Sequence, residues 1–184
     1  MVPRRRVRIV RSLAILGLVA LALANNAAAS SPLRRTDGGQ RLPSREVAFL
    51  KQAAVADRLE IESARLALRR SSTPSVRVFA KRLIEDHLKS THALHEIADG
   101  AGIRVPSALP AADLRLLNKV RGAKGARFDR SFASLQVGVH VRAISLFSRR
   151  KASTTPTTVD AFATSQLPIL RIHLKLAKNL LDTR

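Results

Sequence analysis

The sequence of 184 residues predicts an all-α protein, an antiparallel four-helix bundle with a short extra helix between its second and third long helices. Three observations carry this. Apolar residues recur every three or four positions, as in Val76, Phe79, Ala80, Leu83, Leu94 and Ala98, the period that turns one stripe of a helix toward a core. Breaks rich in Ser, Gly and Pro divide the chain into four long periodic segments. A hydrophobic content of 46% in a chain of this length sustains one domain with a full core.

The N-terminus reads differently. Arg4, Arg5, Arg6, Arg8 and Arg11 precede an apolar run, Leu13 to Ala24, and Ala27-Ala28-Ala29 follows as a small-residue cleavage site before Ser30. A basic region, an apolar stretch and an A-x-A site in that order form a removable export signal over residues 1–29. The apolar run of 12 residues is too short for a membrane anchor, which needs about 20, so no transmembrane anchor remains after cleavage. The expected location is the periplasm or cell envelope. Residues 30–43, with Ser31-Pro32 and Asp37-Gly38-Gly39, have no apolar period and are expected to be a flexible linker. The bundle domain is then residues 44–184.

The first helix is expected over residues 44–71, with Ser44 as N-cap and Ser72-Thr73-Pro74 as the stop. Its apolar face is mostly small, Phe49, Ala53, Ala56, Ala64 and Ala67, and Glu60 lies among them. Small neighbours let a second helix come close, which favours a buried Glu60. Thr73 and Pro74 open the second helix, and Gly100 and Gly102 end it near Asp99. A short helix over residues 111–120 is expected to cover one end of the core with Leu114 and Leu117. The third long helix spans about residues 127–152 and carries Phe132, Leu135, Gln136, Val139, His140 and Phe147 inward. The fourth starts at Thr157 or Thr158 and runs to about Leu181, with His173 on its stripe. Pro168 interrupts it, so a kink is expected one turn before His173.

Charge and composition exclude several functions. The formal net charge of +20 falls to +15 when the five arginines of residues 1–29 are removed, and this favours anionic envelope components as partners. The chain has no cysteine, hence no disulfide, no thiolate metal site and no lipid-modified N-terminus. Nucleic acid is a poor fit, because there is no Trp or Tyr to stack on bases and the export signal points away from it. No phosphate loop or nucleophile elbow is present, so the sequence shows no catalytic motif.

Four ionisable residues fall on apolar stripes, one per long helix: Glu60, His87, His140 and His173. A buried ionisable group needs a partner. Short first and third connections suggest up-down-up-down order, which places all four in one layer roughly 17 to 23 Å from the end where the first helix finishes. Three imidazoles and a carboxylate make an N3O set for a divalent metal such as Fe, Zn, Mn or Cu. Asp86 and Asp57 sit beside the stripes, each as a further ligand or as the acceptor that orients an imidazole; Asp86 is counted in the metal set. The alternative is a structural polar layer, with the histidines bonded to Glu60, Asp86, Gln136 or water. A ferritin-type dinuclear iron centre is disfavoured, because no histidine has a glutamate three residues before it. His92 and His95 lie apart from this layer. The same helix order gathers Arg65, Arg69, Arg70, Arg77, Lys81, Arg82, Arg149, Arg150 and Lys151 at one end, as a basic surface for anionic lipid or polymer.

The residues Ala80-Lys81-Arg82-Leu83-Ile84-Glu85-Asp86-His87, Phe128-Asp129, His140, Phe162-Ala163, Leu167-Pro168 and His173-Leu174 resemble the exported bacterial proteins grouped as domain of unknown function 4142. The resemblance covers about residues 45–181. It implies a ferritin-like bundle and an envelope location, and no established activity. The family's usual tyrosine after Phe-Asp is Phe132 here, so no phenol acts at that position. The reading is an exported ferritin-like bundle binding a divalent metal in metal handling or stress response, against a non-enzymatic envelope protein with a structural polar core.

Overall fold

Among the described residues the chain forms five helices: α1 Ser44–Arg70, α2 Pro74–Gly100, α3 Ala111–Gly122, α4 Gly125–Ser148 and α5 Thr158–Asp182. The computed structural model describes residues 41–150 and 156–182. The expected signal (1–29), most of the linker (30–43), Lys151 and residues 183–184 lie outside the described residues. The four-helix bundle and the short extra helix are as the sequence predicts.

Local chemistry explains the helix ends. Pro74 occupies the first turn of α2, where its missing N–H costs nothing. The Thr73 hydroxyl makes no cap; it donates instead to Asp129 Oδ2 at 2.6 Å, tying the α1–α2 turn to α4. Ser44 lies inside α1 rather than capping it, and Pro43 precedes it. Gly102 takes a φ of 67°, which only glycine adopts freely, and Ile103 N–H then closes α2 on the Ala98 carbonyl at 2.8 Å. At α5, Thr157 and Asp160 cap reciprocally: Thr157 N–H donates to Asp160 Oδ2 at 3.0 Å and Asp160 N–H to Thr157 Oγ1 at 3.2 Å. Pro168 sits on the exposed face of α5, where water can satisfy the carbonyl that proline cannot serve.

The helix order differs from the expected up-down-up-down. Arg70 donates to the carbonyls of Arg121 and Ala123, so α4 starts beside the end of α1. Arg150, just past α4, pairs with Glu46 in the first turn of α1 at 3.1 Å. Hence α4 runs against α1 and parallel to α2, and the order is up-down-down-up. The physical reason is the connection over residues 101–124. It carries α3 along α1 and α4 and returns the chain to the end it had left. Leu117 and Val120 of α3 are buried, whereas Leu114 is 42% exposed, because α3 lines the flank instead of covering an end. Each packed pair of long helices is still antiparallel.

This order divides the expected basic surface. Arg69, Arg70 and Arg77 lie at one end, and Arg149 and Arg150 at the other. Arg150 is no surface charge either: it pairs with Glu46 at 3.1 Å and Asp160 at 2.7 Å and lies over the Phe49 ring.

Two apolar clusters fill the bundle. One gathers Leu59, Phe79, Leu83, Phe128 and Phe132; the other gathers Phe49, Leu50, Leu94, Phe147 and Phe162. Glu60, His87, His140 and His173 belong to neither and are buried between them.

Arg150→Ala strands two buried carboxylates, and it is expected to destabilise the fold by on the order of 3 kcal/mol in urea unfolding. Arg149→Ala, at an exposed site, is expected to stay within about 0.5 kcal/mol of wild type.

Candidate metal centre

His87 takes its place from the α2 stripe that also buries Phe79, Leu83 and Leu94. Glu60 projects from the small-residue face of α1, His140 from α4 and His173 from α5. All four are at most 3% exposed. The imidazole ring centroids lie 5.8 Å (His87–His140), 5.3 Å (His87–His173) and 5.2 Å (His140–His173) apart. One ring nitrogen from each histidine lies within 4.8 Å of the others, and Asp57, Glu60 and His87 form an overlapping group of the same kind.

Each ring is fixed at one nitrogen. His140 Nδ1 lies 2.8 Å from the Gln136 carbonyl; a carbonyl only accepts, so Nδ1 holds the proton and the lone pair is on Nε2. His173 Nε2 donates to Asp86 Oδ2 at 2.9 Å, which leaves the lone pair on Nδ1. His87 Nδ1 meets Asp57 Oδ1 at 2.8 Å, and its Nε2 lies 2.6 Å from Glu60 Oε2. That last contact is a close ion pair. His140 Nε2 and His173 Nδ1 have no hydrogen-bond partner among the described residues, whereas His87 Nε2 and Glu60 Oε2 hold each other and Glu60 Oε1 lies 3.6 Å from His140 Nδ1.

The charges follow from this packing. Burial disfavours the His87 cation, but Glu60 and Asp57 on either side more than offset it and raise its pKa to about 10. Burial likewise raises Glu60, yet the charges of His87 and His140 prevail and hold it at about 2. Burial lowers His140, aided by repulsion from His87. Burial and the His87 charge lower His173 to about 4. Asp57 is raised, mainly by burial. Without metal, the layer thus holds one imidazolium beside an ionised Glu60, and two neutral imidazoles.

The structure brings Glu60, His87, His140 and His173 together. Asp86 stands one step further out, accepting from His173 while also facing Arg82 Nε at 3.4 Å. Asp57 holds His87 from behind, and Thr91 Oγ1 donates to its second oxygen at 3.3 Å. Three supports escaped sequence reasoning: Thr91, Ser63, which receives Gln136 Nε2 at 2.8 Å, and the Gln136 carbonyl. The spacing of four from Gln136 to His140 and from His87 to Thr91 was the available signal. His92 and His95 are exposed and stand outside the cluster.

Buried donor atoms that converge, two of the ring nitrogens without a hydrogen bond among the described residues, in rings anchored from behind by carboxylates or a carbonyl, fit a divalent ion. The class so defined is a four-helix bundle with a histidine–carboxylate layer between two apolar cores. The chain belongs to the family of domain of unknown function DUF4142, whose profile matches residues 31–180. A search among curated proteins returns no match. Among solved structures the chain is similar to a DUF305 fragment from Deinococcus radiodurans, at 15% identity and a TM-score of 0.70, covering 77% of this chain and 98% of that one. It is also similar to CopM in its Cu(I)-bound form, at 20% identity and a TM-score of 0.64, and to CopM in its Ag-bound form, at 18% and 0.63; each match covers 75% of this chain and 96% of the other. These likenesses concern the fold.

The metal-free protein is expected to lose stability on both sides of neutrality. His173 takes up its proton at about pH 6.5 unfolded and about 4 folded, so the unfolded state binds more protons between them. Stability then falls as pH drops through that window, by up to about 3 kcal/mol. His87 has the opposite sign: its folded pKa of about 10 gives stability that is complete below 6.5 and lost as pH rises toward 10. Urea unfolding of chelator-treated protein across pH checks this, and His173→Gln is expected to reduce the acid-side loss, to which His140 also contributes, and to leave the alkaline side in place.

Proposed function

We propose that this chain is an exported metal-binding bundle in which Glu60, His87, His140 and His173 hold one divalent ion. The observation that carries the reading is the set of three buried imidazoles, each fixed at one nitrogen, with His140 Nε2 and His173 Nδ1 left without a hydrogen-bond partner among the described residues and His87 Nε2 held 2.6 Å from the Glu60 carboxylate. Asp57, Asp86 and the Gln136 carbonyl orient the rings. A bound ion supplies Lewis acidity or, if copper or iron, electron exchange.

An imidazole–carboxylate set suits Zn, Fe, Mn and Cu(II), and Cu(II) heads the affinity order for such ligands. The fold shared with CopM, solved with Cu(I) and with Cu(II), supports copper as the first metal to test. The chain has no cysteine, and its only methionine is Met1, so the bundle offers no soft sulfur ligand for Cu(I). This favours the divalent ion.

The alternative, a structural polar layer without metal, has its own support in the Asp57–His87–Glu60 contacts, where two carboxylates already neutralise the imidazolium. Metal analysis and melting separate the two. Under the metal reading, tag-free protein takes up one Cu(II) per chain and gains about 4 kcal/mol of stability at a free metal level a thousand times Kd. His140→Ala and His173→Ala abolish that gain in a bundle that still folds, while Asp86→Asn lowers affinity by about 10- to 100-fold. A wild type with no stoichiometric metal and no metal-dependent shift would leave only the structural layer.

Export is supported by the basic region, the apolar run and Ala27-Ala28-Ala29, which point to the periplasm or cell envelope. The intact mass of protein made in an exporting host is expected to begin at or near Ser30. Retention of Met1 overturns this.

A further inference from the structure

We propose that the metal centre keeps one position open to a single water-sized, hydrogen-donating ligand, a water molecule, held in a cavity beside Glu60 and His87. The inference rests on the metal reading above and extends it to the ligand that the ion shares with solvent.

A cavity of about 10 Å³ adjoins the layer, and its polar lining is Asp57, Glu60, Asp86, His87, Ser90 and Gln166. That volume matches about one water molecule, and a buried water needs two to four polar partners; this lining supplies them. Glu60 and His87 also belong to the ligand set, and their Oε2 and Nε2 atoms lie 2.6 Å apart as an ion pair. His140 and His173 do not line the cavity, so it lies on the Glu60–His87 side of the layer. Four protein ligands therefore leave room for one exogenous molecule.

The lining also selects the ligand. Three carboxylates face a space that admits one small molecule. Carboxylates accept hydrogen bonds and repel anions, so a neutral molecule that donates two hydrogen bonds is favoured over azide or chloride.

Access is set by two small residues. Ala56 and Ala143 line this cavity and also a groove of about 760 Å³ between α1 and α4, beside Lys51, Arg142 and Arg149. Both residues line both spaces, so a larger side chain at either position fills the cavity or closes its approach from the groove.

The experiment is water-proton relaxation of the full chain loaded with Cu(II), with copper per chain measured on the same samples. Wild type is expected to show the field-dependent increment of one exchanging water on copper. Ala143→Leu and Ala56→Leu are expected to lose that increment while retaining one copper per chain, and Ala143→Val serves if the larger side chain prevents folding. Millimolar azide is expected to leave the increment in place. Copper bound without an increment in wild type overturns the inference and leaves the metal reading intact. An increment that persists in the filled variants overturns the cavity as its source, and displacement by azide overturns the preference for a hydrogen donor. Absence of stoichiometric copper overturns the metal reading and this inference with it.

Discussion

The contact on which the rest of the structure depends is the burial of His87 between Asp57 and Glu60. A lone imidazolium at 3% exposure would deprotonate or drag water inward. Two carboxylates from α1 hold its charge, and that charge then governs the neighbours. It helps keep Glu60 ionised, and it helps keep His140 and His173 neutral. One proton on one ring thus sets the protonation of the layer, and α1 and α2 cannot slide past each other without breaking it.

Such a layer has to be bracketed by apolar packing, because a polar stratum in a bundle adds specificity more readily than stability. Phe79, Phe128 and Phe132 pack in the cluster on one side, and Phe49, Phe147 and Phe162 in the cluster on the other. The alanines of α1 let the facing helices approach closely enough for four side chains to meet. The end of the bundle beside Glu46 is closed by a second set of buried charges, with Arg150 between Glu46 and Asp160. Helix register is therefore fixed by charge at two heights and by apolar volume between them.

Much of this was legible in the sequence. The period of three to four placed Glu60, His87, His140 and His173 on buried stripes, and the breaks gave the helix ends to within a few residues. Helix direction was not legible, because stripe periodicity reads the same up or down and residues 101–124 did not declare themselves a crossover. The common layer survived that error for a physical reason: His140 and His173 lie within about one turn of their helix midpoints, so reversing a helix moves them by about two turns, on the order of 10 Å, and not by its whole length. The basic surface did not survive it, since Arg149 and Arg150 follow a helix end and reversal carries them the full length of the bundle. The orienting groups were half legible. Asp57 and Asp86 stood out as charges beside a stripe, but a carbonyl such as that of Gln136 has no side-chain signature.

The same proton bears on how metal would bind. With His140 and His173 neutral and their lone pairs free, two ligands need no deprotonation, whereas His87 must give up a proton held by two carboxylates. Metal and proton therefore compete at His87 alone, and binding releases that proton. Because the imidazolium already offsets the Glu60 charge, the metal-free layer is an alternative charge state of the same network and not a cluster of bare carboxylates. A bundle arranged in this way needs no metal to fold, since the cation that holds the layer together is supplied by the chain. The zinc-finger case is the opposite, where metal is needed for the fold itself. The buried proton of His87 thus reconciles a polar core that stands without metal with donor atoms arranged to receive one.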